Sequence, residues 1–478
     1  MDLVNKFFKY ASGSFVTLLV GLAATPIITR LISTETMGKY SMFVTIGGLL
    51  ASFLFLGLDQ SFVRFFYEEK EEKRIYLLTK CIRFPLIVAF FVCFILLIFN
   101  KKVSLFIVGE SSLVTVIILC VYMVCLVLSR FTSLFLRMKQ RAVTYSLLNT
   151  SNKLFYLILA LVFFYYFFGD NELSLIIAIS ISEFLFLSLC IFNEKKEYAS
   201  LVHIEQIVTR DKDLLKYGYP FIFSNTIFYI LQSTDKIMLN IFADYNQIGL
   251  FSGAQNIVNL LSQVQNVFTL FWVPVAYERY LKFKEDRDFF RNVNEMVSYG
   301  MLVCAIVLLC FKDTIVLFLG PSYADAVYIF PFLIFMPIMY TISETTVLGI
   351  NFKKKSHYHV VIAAITATSN ILANFVLINF YGAKGAAIAT GLSYIVFFGL
   401  RTYFSQKLFY IEYPLKRFSI VLVSVYILAI IATFSKVNLI FIVIAFVIFL
   451  FISILYKDML IKNYQYIKTT FKQKSKKN

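Results

Sequence analysis

The sequence predicts an all-α polytopic membrane protein of about fourteen transmembrane helices. Three observations predict it. Of 478 residues, 59% are hydrophobic and only 15% are charged, where a soluble domain carries roughly a quarter. Apolar runs of about 20 residues, enough to cross ~30 Å of hydrocarbon as a helix, recur along the whole chain. The runs are continuous rather than alternating, which argues against an outer-membrane barrel. Finally, Lys and Arg fall on alternate loops, 35 on one side and 7 on the other, as the positive-inside rule requires.

The expected spans, taken in order, are residues 10–31, 41–63, 82–100, 112–136, 144–168, 173–192, 219–241, 249–275, 296–318, 325–350, 358–380, 385–406, 417–434 and 437–456. The expected location is the cytoplasmic (inner) membrane, and the charge bias places both termini in the cytoplasm. It also accounts for the net charge of +17, so no nucleic-acid partner is expected. The basic tail "KTTFKQKSKKN" reads as a contact with anionic lipid heads. All seven cysteines sit in apolar runs or at their margins, so no disulfide framework is implied. The N-terminus lacks a short apolar core followed by a small-residue cleavage site, and no removable signal peptide is read there.

The loops are too short for a folded extracellular domain, and no GxxxxGK[ST] phosphate loop is present. Neither a Ser/His/Asp grouping nor a Cys/His spacing for zinc occurs. His203, His357 and His359 are read as cytoplasmic-loop features. The expectation is a transporter rather than an enzyme, with no cofactor and no metal.

A faint internal repeat organises the chain. "KYASGSF…TETMGKYSMFVTI" from Lys9 parallels "KYGYPFIF…DYNQIGLFSGAQNI" from Lys216. Aligning Gly38 with Gly249 puts Tyr40 on Phe251 and Ser41 on Ser252. The offset of 211 residues spans six helices, so the copies face the same way, as in transporters whose halves are related by an axis along the membrane normal. The expected division is therefore 1–205 and 206–410 for two six-helix bundles, with 411–478 supplying two extra spans and the tail.

Ionisable groups inside spans are costly and usually face a bundle interior or a wet cavity. The deep set is Lys153, Glu183, Asp235, Lys236 and Glu344. Asp59 and Arg130 lie nearer the cytoplasmic ends, Arg30 near the outer end of the first span. Arg130 is read as snorkelling to the interface. Asn225, Tyr229, Gln232 and Lys236 recur at helical spacing on one face. Gln255, Asn259, Ser262 and Asn266 do the same in the next span. Asn149, Asn152 and Lys153, and then Thr366, Asn370 and Asn374, form two more stripes. Four such stripes exceed what helix-helix adhesion needs, and a hydrated cavity is the economical reading. Arg30, Lys153 and Lys236 suit an anionic group, while the amides Asn225, Gln232, Gln255, Asn259, Asn370 and Asn374 suit sugar hydroxyls. Asp235, Glu183, Glu344 and Asp59 are candidates for H⁺ or Na⁺ coupling. The plainer alternative is that Asp235 and Lys236 are solvated near the outer surface. For Glu183 and Glu344 it is a neutral acid hydrogen-bonded to a neighbouring helix. In the first span Gly13, Thr17, Gly21 and Thr25 form a small-residue ridge, and Pro26, Pro274, Pro331 and Pro337 are candidate kinks.

The stretches "TPIITRLISTETMGKYSMF", "LGLDQSFVRFFYE", "STDKIMLNIFADYNQIGLFSGA" and "YGAKGAAIATGLSYIVFF" resemble, in order and spacing, the polysaccharide flippases of the Wzx type. These belong to the MATE-like (MOP exporter) superfamily that also holds the MurJ lipid II flippase. The resemblance covers most of the first twelve spans. It implies two six-helix bundles in a V-shaped arrangement, a cationic central cavity and alternating access. It also implies export of an undecaprenyl-diphosphate-linked oligosaccharide for O-antigen or capsule, with cavity cations at Arg30 and Lys236. The partners it implies are the lipid-linked oligosaccharide, membrane lipids, a polysaccharide polymerase and other assembly proteins. Two alternatives remain: a multidrug or small-cation antiporter of the MATE type, disfavoured by the deep cations, and a membrane glycan polymerase or ligase, disfavoured by the short outer loops.

Overall fold

The computed structural model describes residues 2–199, 209–283, 286–462 and 465. His203, most of the basic tail and the surroundings of Gly13 lie outside the described residues. Among the described residues every regular element is a helix. Helical segments lie along each of the fourteen expected runs, several of them broken into two or more helices. Among the described residues, nine helices are long and apolar enough to cross a membrane, and a tenth candidate is a pair bent by 57°. The remaining runs fall short for identifiable reasons. The described apolar stretch of the first helix is only Thr17–Leu31 and the last helix is Leu439–Leu455. The seventh and eighth are diluted by their own amides.

The chain contacts divide into two compact units: Met1–Gly253 with Leu319–Tyr323, and Ala254–Phe318 with Ala324–Asn478. Unit 1 holds α1 (Asp2–Leu31), α2 (Thr34–Leu54), α3 (Leu58–Phe65), α4 (Arg74–Ile98), α5 (Asn100–Val108), α6 (Leu113–Met138), α7 (Ala142–Phe163), α8 (Glu172–Asn193), α9 (Lys195–Ala199), α10 (Asp211–Phe242) and the start of α11 (Tyr245–Lys282). Thus the seventh span packs with the first six. A boundary at residue 205 follows the sequence repeat, whereas this division follows packing.

Local sequence sets the breaks. Ser33 caps α2 by accepting a hydrogen bond from the Thr36 amide, the ordinary service of a Ser at that position. Leu56 and Gly57 both take positive φ, 50° and 65°, and interrupt the second span between α2 and α3. Gly57 is needed there twice over, since a Cβ would also lie 2.0 Å from the Gly218 carbonyl oxygen of α10. One turn on, Ser61 Oγ donates to the Leu214 carbonyl at 2.7 Å. This bond and the close approach of Gly57 to Gly218 fasten α3 to α10, the kind of close, polar contact that joins helices where lipid supplies no hydrophobic drive. Beneath them Leu54, Leu58, Phe62, Phe66, Phe131 and Phe135 form a buried cluster.

Unit 2 continues α11 and adds α12 (Arg287–Cys310), α13 (Lys312–Val316), α14 (Phe330–Leu333), α15 (Phe335–Thr346), α16 (Leu348–Phe352), α17 (His357–Tyr381), α18 (Ala383–Leu408), α19 (Leu415–Phe434) and α20 (Leu439–Leu455). Pro331 opens α14, where its missing N–H costs nothing. Pro26 and Pro274 instead lie inside continuous helices. α17 and α18 form a tight hairpin at Gly382, whose φ is 55°. Trp272, Phe290, Phe352, Ile411 and Tyr413 form a buried cluster, with Tyr280 stacked on Phe352 at 4.0 Å.

Candidate functional site

Helical periodicity on six elements of unit 1 builds a polar cavity of about 460 Å³. α6 presents Leu126, Ser129, Arg130 and Ser133 to it; α7 presents Tyr145, Asn149 and Asn152. Both sets follow the three-and-four spacing of one helix face. Glu183 and Phe186 of α8 and Asn225, Phe228 and Tyr229 of α10 complete the wall, while Ser52, Phe55, Asp59 and Gln60 enter from the interrupted second span.

Two carboxylates sit here in different settings. Asp59 is buried in the first turn of α3, where the helix dipole favours negative charge. It accepts from Arg130 Nη2 at 2.8 Å and from Gln60 Nε2 at 3.0 Å. Glu183 is also buried. It accepts from the Ser129 hydroxyl and from Asn152 Nδ2 at 3.1 Å, with neutral partners only. Among the described residues, three buried polar atoms of the cavity have no partner: Asp59 Oδ1, Arg130 Nε and Asn152 Oδ1. Such atoms are expensive to leave unsatisfied, so the cavity suits water or a polar ligand.

Of the residues expected from sequence, Asn225, Asp59 and Glu183 meet at this cavity, with the stripe residues Asn149, Asn152 and Tyr229. Arg130, read as snorkelling, instead turns inward to Asp59. It lies eight residues before the end of α6 at Met138, about 12 Å along a helix.

The others lie elsewhere. Arg30 is exposed at the end of α1. Lys153 points its Nζ at the Thr17 carbonyl, 3.5 Å away, beside Gly21 of the small-residue ridge. Gln232 is exposed, Asp235 buried and Lys236 half-buried, farther along α10 than the lining Asn225 and Tyr229. In unit 2, Gln255 donates to Asn259 at 3.1 Å, and Asn374 donates to Asn370 at 3.0 Å with both buried. Glu344 is paired: Arg401 donates to it through Nη2 at 2.6 Å and to Ser343 through Nη1 at 2.6 Å. Arg401 is also flanked by Tyr340 and Phe397. Arg401 was not among the deep ionisable residues expected from the sequence. Unit 2 has its own cavity of about 310 Å³ between α11, α12 and α15, lined mostly by aliphatic side chains around Gly300 and Cys304. Among the described residues, no three His, Cys, Asp or Glu side chains are grouped to hold a metal ion.

A family model described as "Polysaccharide biosynthesis protein" matches residues 3–278, more than half of the chain and every wall of the unit 1 cavity. The chain belongs to this polysaccharide biosynthesis family. Solved structures share the fold at low sequence identity. A lipid II flippase MurJ in an inward closed conformation matches with a TM-score of 0.71 and 17% identity, over 94% of this chain and 99% of that one. An inward-facing multidrug resistance MATE transporter of the MOP superfamily gives 0.56 and 12%, over 83% and 94%. A MATE structure in a bent conformation gives 0.53 and 14%, over 88% and 96%. No curated protein sequence matches. This member of the polysaccharide biosynthesis family is thus a multi-pass membrane protein that shares its fold with the MurJ and MATE structures.

Proposed function

We propose that this chain is a flippase for undecaprenyl-diphosphate-linked oligosaccharide repeat units. It carries them across the cytoplasmic membrane by alternating access, for assembly of a surface polysaccharide such as O-antigen or capsule. The observation that carries the reading is the unit 1 cavity. Its amides, hydroxyls and tyrosines offer the mixed donors and acceptors that sugars need, and Arg130 offers a charge for an acidic linker. Family membership supports a role in polysaccharide biosynthesis, and the positive-inside bias supports cytoplasmic termini. In that orientation the cavity lies in the cytoplasmic half of the unit, where nascent repeat units are made. No nucleotide-binding motif supplies energy, so the drive is an ion gradient, the membrane potential or a substrate gradient, with Glu183, held by the neutral Ser129 and Asn152, as a coupling candidate.

Deletion in the native host tests the reading. Surface polysaccharide should be lost while undecaprenyl-linked repeat units accumulate on the inner leaflet. Units that still reach the outer leaflet would refute it. A second reading, a MATE-type cation antiporter, draws on the two buried carboxylates. It predicts drug hypersensitivity of the deletion strain with polysaccharide intact.

A further inference from the structure

We infer that Arg130 reads the phosphate of the cargo and that Asp59 is a resting counter-ion which the phosphate displaces. This rests on the cargo reading above. Among the described residues, Arg130 is the one cationic side chain lining the unit 1 cavity. Its side chain is 41% exposed, against 1% for Asp59, so the acid sits behind and the guanidinium faces the open space.

The pair is under-used as it stands. A guanidinium and a carboxylate form two parallel bonds when geometry is optimal. Here one bond of 2.8 Å joins Nη2 to Oδ2, while Asp59 Oδ1 and Arg130 Nε have no partner. The Phe55 ring lies 5.8 Å from the guanidinium carbon and limits how the plane can turn. A phosphate offers more acceptor oxygens than a carboxylate and engages the guanidinium fork in two places. Asp59 keeps a hold when Arg130 leaves it, through Gln60 and the first turn of α3. Asn149, Asn152, Ser133 and Tyr145 surround the same space, so a sugar next to the phosphate meets hydroxyls and amides. Asp59 therefore sets the threshold for anion binding and excludes weak anions.

The test is ligand binding to the purified full-length protein in nanodiscs, with geranylgeranyl diphosphate as probe. Geranylgeraniol serves as uncharged control and inorganic pyrophosphate as competitor. Arg130→Gln should lose diphosphate affinity by about tenfold or more, and Asp59→Asn should gain up to about tenfold, as removal of a competing charge partner predicts. Arg130→Lys should fall between wild type and Arg130→Gln. Binding of the alcohol should not change. Opposite signs for the two positions are the signature, because a purely structural pair would lose affinity in both variants. The inference is overturned if Asp59→Asn weakens diphosphate binding, or if folded Arg130→Gln binds like wild type. Should Arg130→Gln fail to fold, the signs for Asp59→Asn and Arg130→Lys decide alone. Wild type that binds no isoprenyl diphosphate overturns the cargo reading and this inference with it, whereas binding insensitive to Arg130 overturns this inference only. Competition by pyrophosphate separates recognition of the headgroup from uptake of the tail: competition supports the assignment, and its absence with retained lipid binding counts against it.

Discussion

Gly38 and Gly249 make the same contact from opposite sides. A Cβ on Gly38 would lie 1.9 Å from the carbonyl oxygen of Tyr245, and one on Gly249 would lie 1.8 Å from that of Thr34. Thr34 and Tyr245 stand at the same offset of 211 residues as the two glycines. A reciprocal contact of this kind is what a two-fold relation produces. The match extends to the helix starts. Ser33 accepts from the Thr36 amide, and Asp244, at the same offset, accepts from the Gln247 amide. Thr29 takes a bond from the Gly320 amide, and its counterpart Asn240 gives one to the Phe106 carbonyl, next to the loop of Gly109. At these positions the internal repeat read in the sequence is matched by a reciprocal backbone contact within unit 1.

Gly38→Ala and Gly249→Ala should therefore behave alike. Each forces backbones apart, at about 1–3 kcal/mol for overpacking. The double variant should cost less than the sum, since one opening of the seam relieves both clashes. Gly300→Ala and Gly399→Ala meet nothing within 4 Å and should leave the melting temperature nearly unchanged. Thermal unfolding of the four single variants and the double checks this. Additive losses would mean that the two glycines do not share one seam.

The repeat was legible because glycine spacing and loop charge survive in one dimension. The cavity was legible only in part. Periodicity names a helix face but not its neighbour or its depth. Asn225 and Tyr229 reach the cavity while Gln232 and Lys236, on the same stripe, lie beyond it. Lys153 shares a stripe with Asn149 and Asn152 yet turns to the Thr17 carbonyl of α1. The pairings of Arg130 and Arg401 were missed because an ion pair between helices is invisible until the helices are placed. The available signal was opposite charge at matching depth: Asp59 and Arg130 both fall near the expected cytoplasmic ends of their spans.

Glu344 is placed as a structural clamp between α15 and α18. Its carboxylate and the Arg401 guanidinium are both buried, so removing one partner strands a charge, at about 3–5 kcal/mol, whereas removing both is far milder. Arg401→Met should lower the unfolding temperature sharply, and Arg401→Met with Glu344→Leu should recover much of the loss. If instead Glu344→Gln stays as stable as wild type and only the gradient dependence of transport disappears, the residue couples ions as the sequence first suggested.

Glu183→Gln gives the complementary expectation. The amide keeps an acceptor for Ser129 or Asn152 and adds no charge, so stability should change by only about 1 kcal/mol. Under the flippase reading, proteoliposomes carrying it should move lipid-linked oligosaccharide at a rate that no longer responds to an imposed H⁺ or Na⁺ gradient. A response equal to wild type would move the coupling role elsewhere.

Lys312 ties the last two helices to the rest of unit 2. It is fully buried, and its ammonium donates to the carbonyls of Ala432 at 2.6 Å and Ser435 at 2.7 Å. Those carbonyls close α19, where a cation meets the negative end of the helix dipole. The Tyr328 ring lies 5.1 Å from the same nitrogen. Asp313, next in sequence, accepts from the Val437 amide at 3.2 Å, so two adjacent residues hold both sides of the α19–α20 turn. Lys312→Met keeps the apolar stem and removes only the charge and its donors. The loss should be about 1.5–3 kcal/mol, the range for hydrogen bonds to a charged group. It should also be local. Hydrogen exchange of the amides around Ser435 and Val437 should quicken, while amides of α2 and α10 in unit 1 keep their protection. Unchanged exchange at that turn would show that the carbonyls are held without the lysine, and uniform quickening along the chain would show that its role is global rather than a clip on α19.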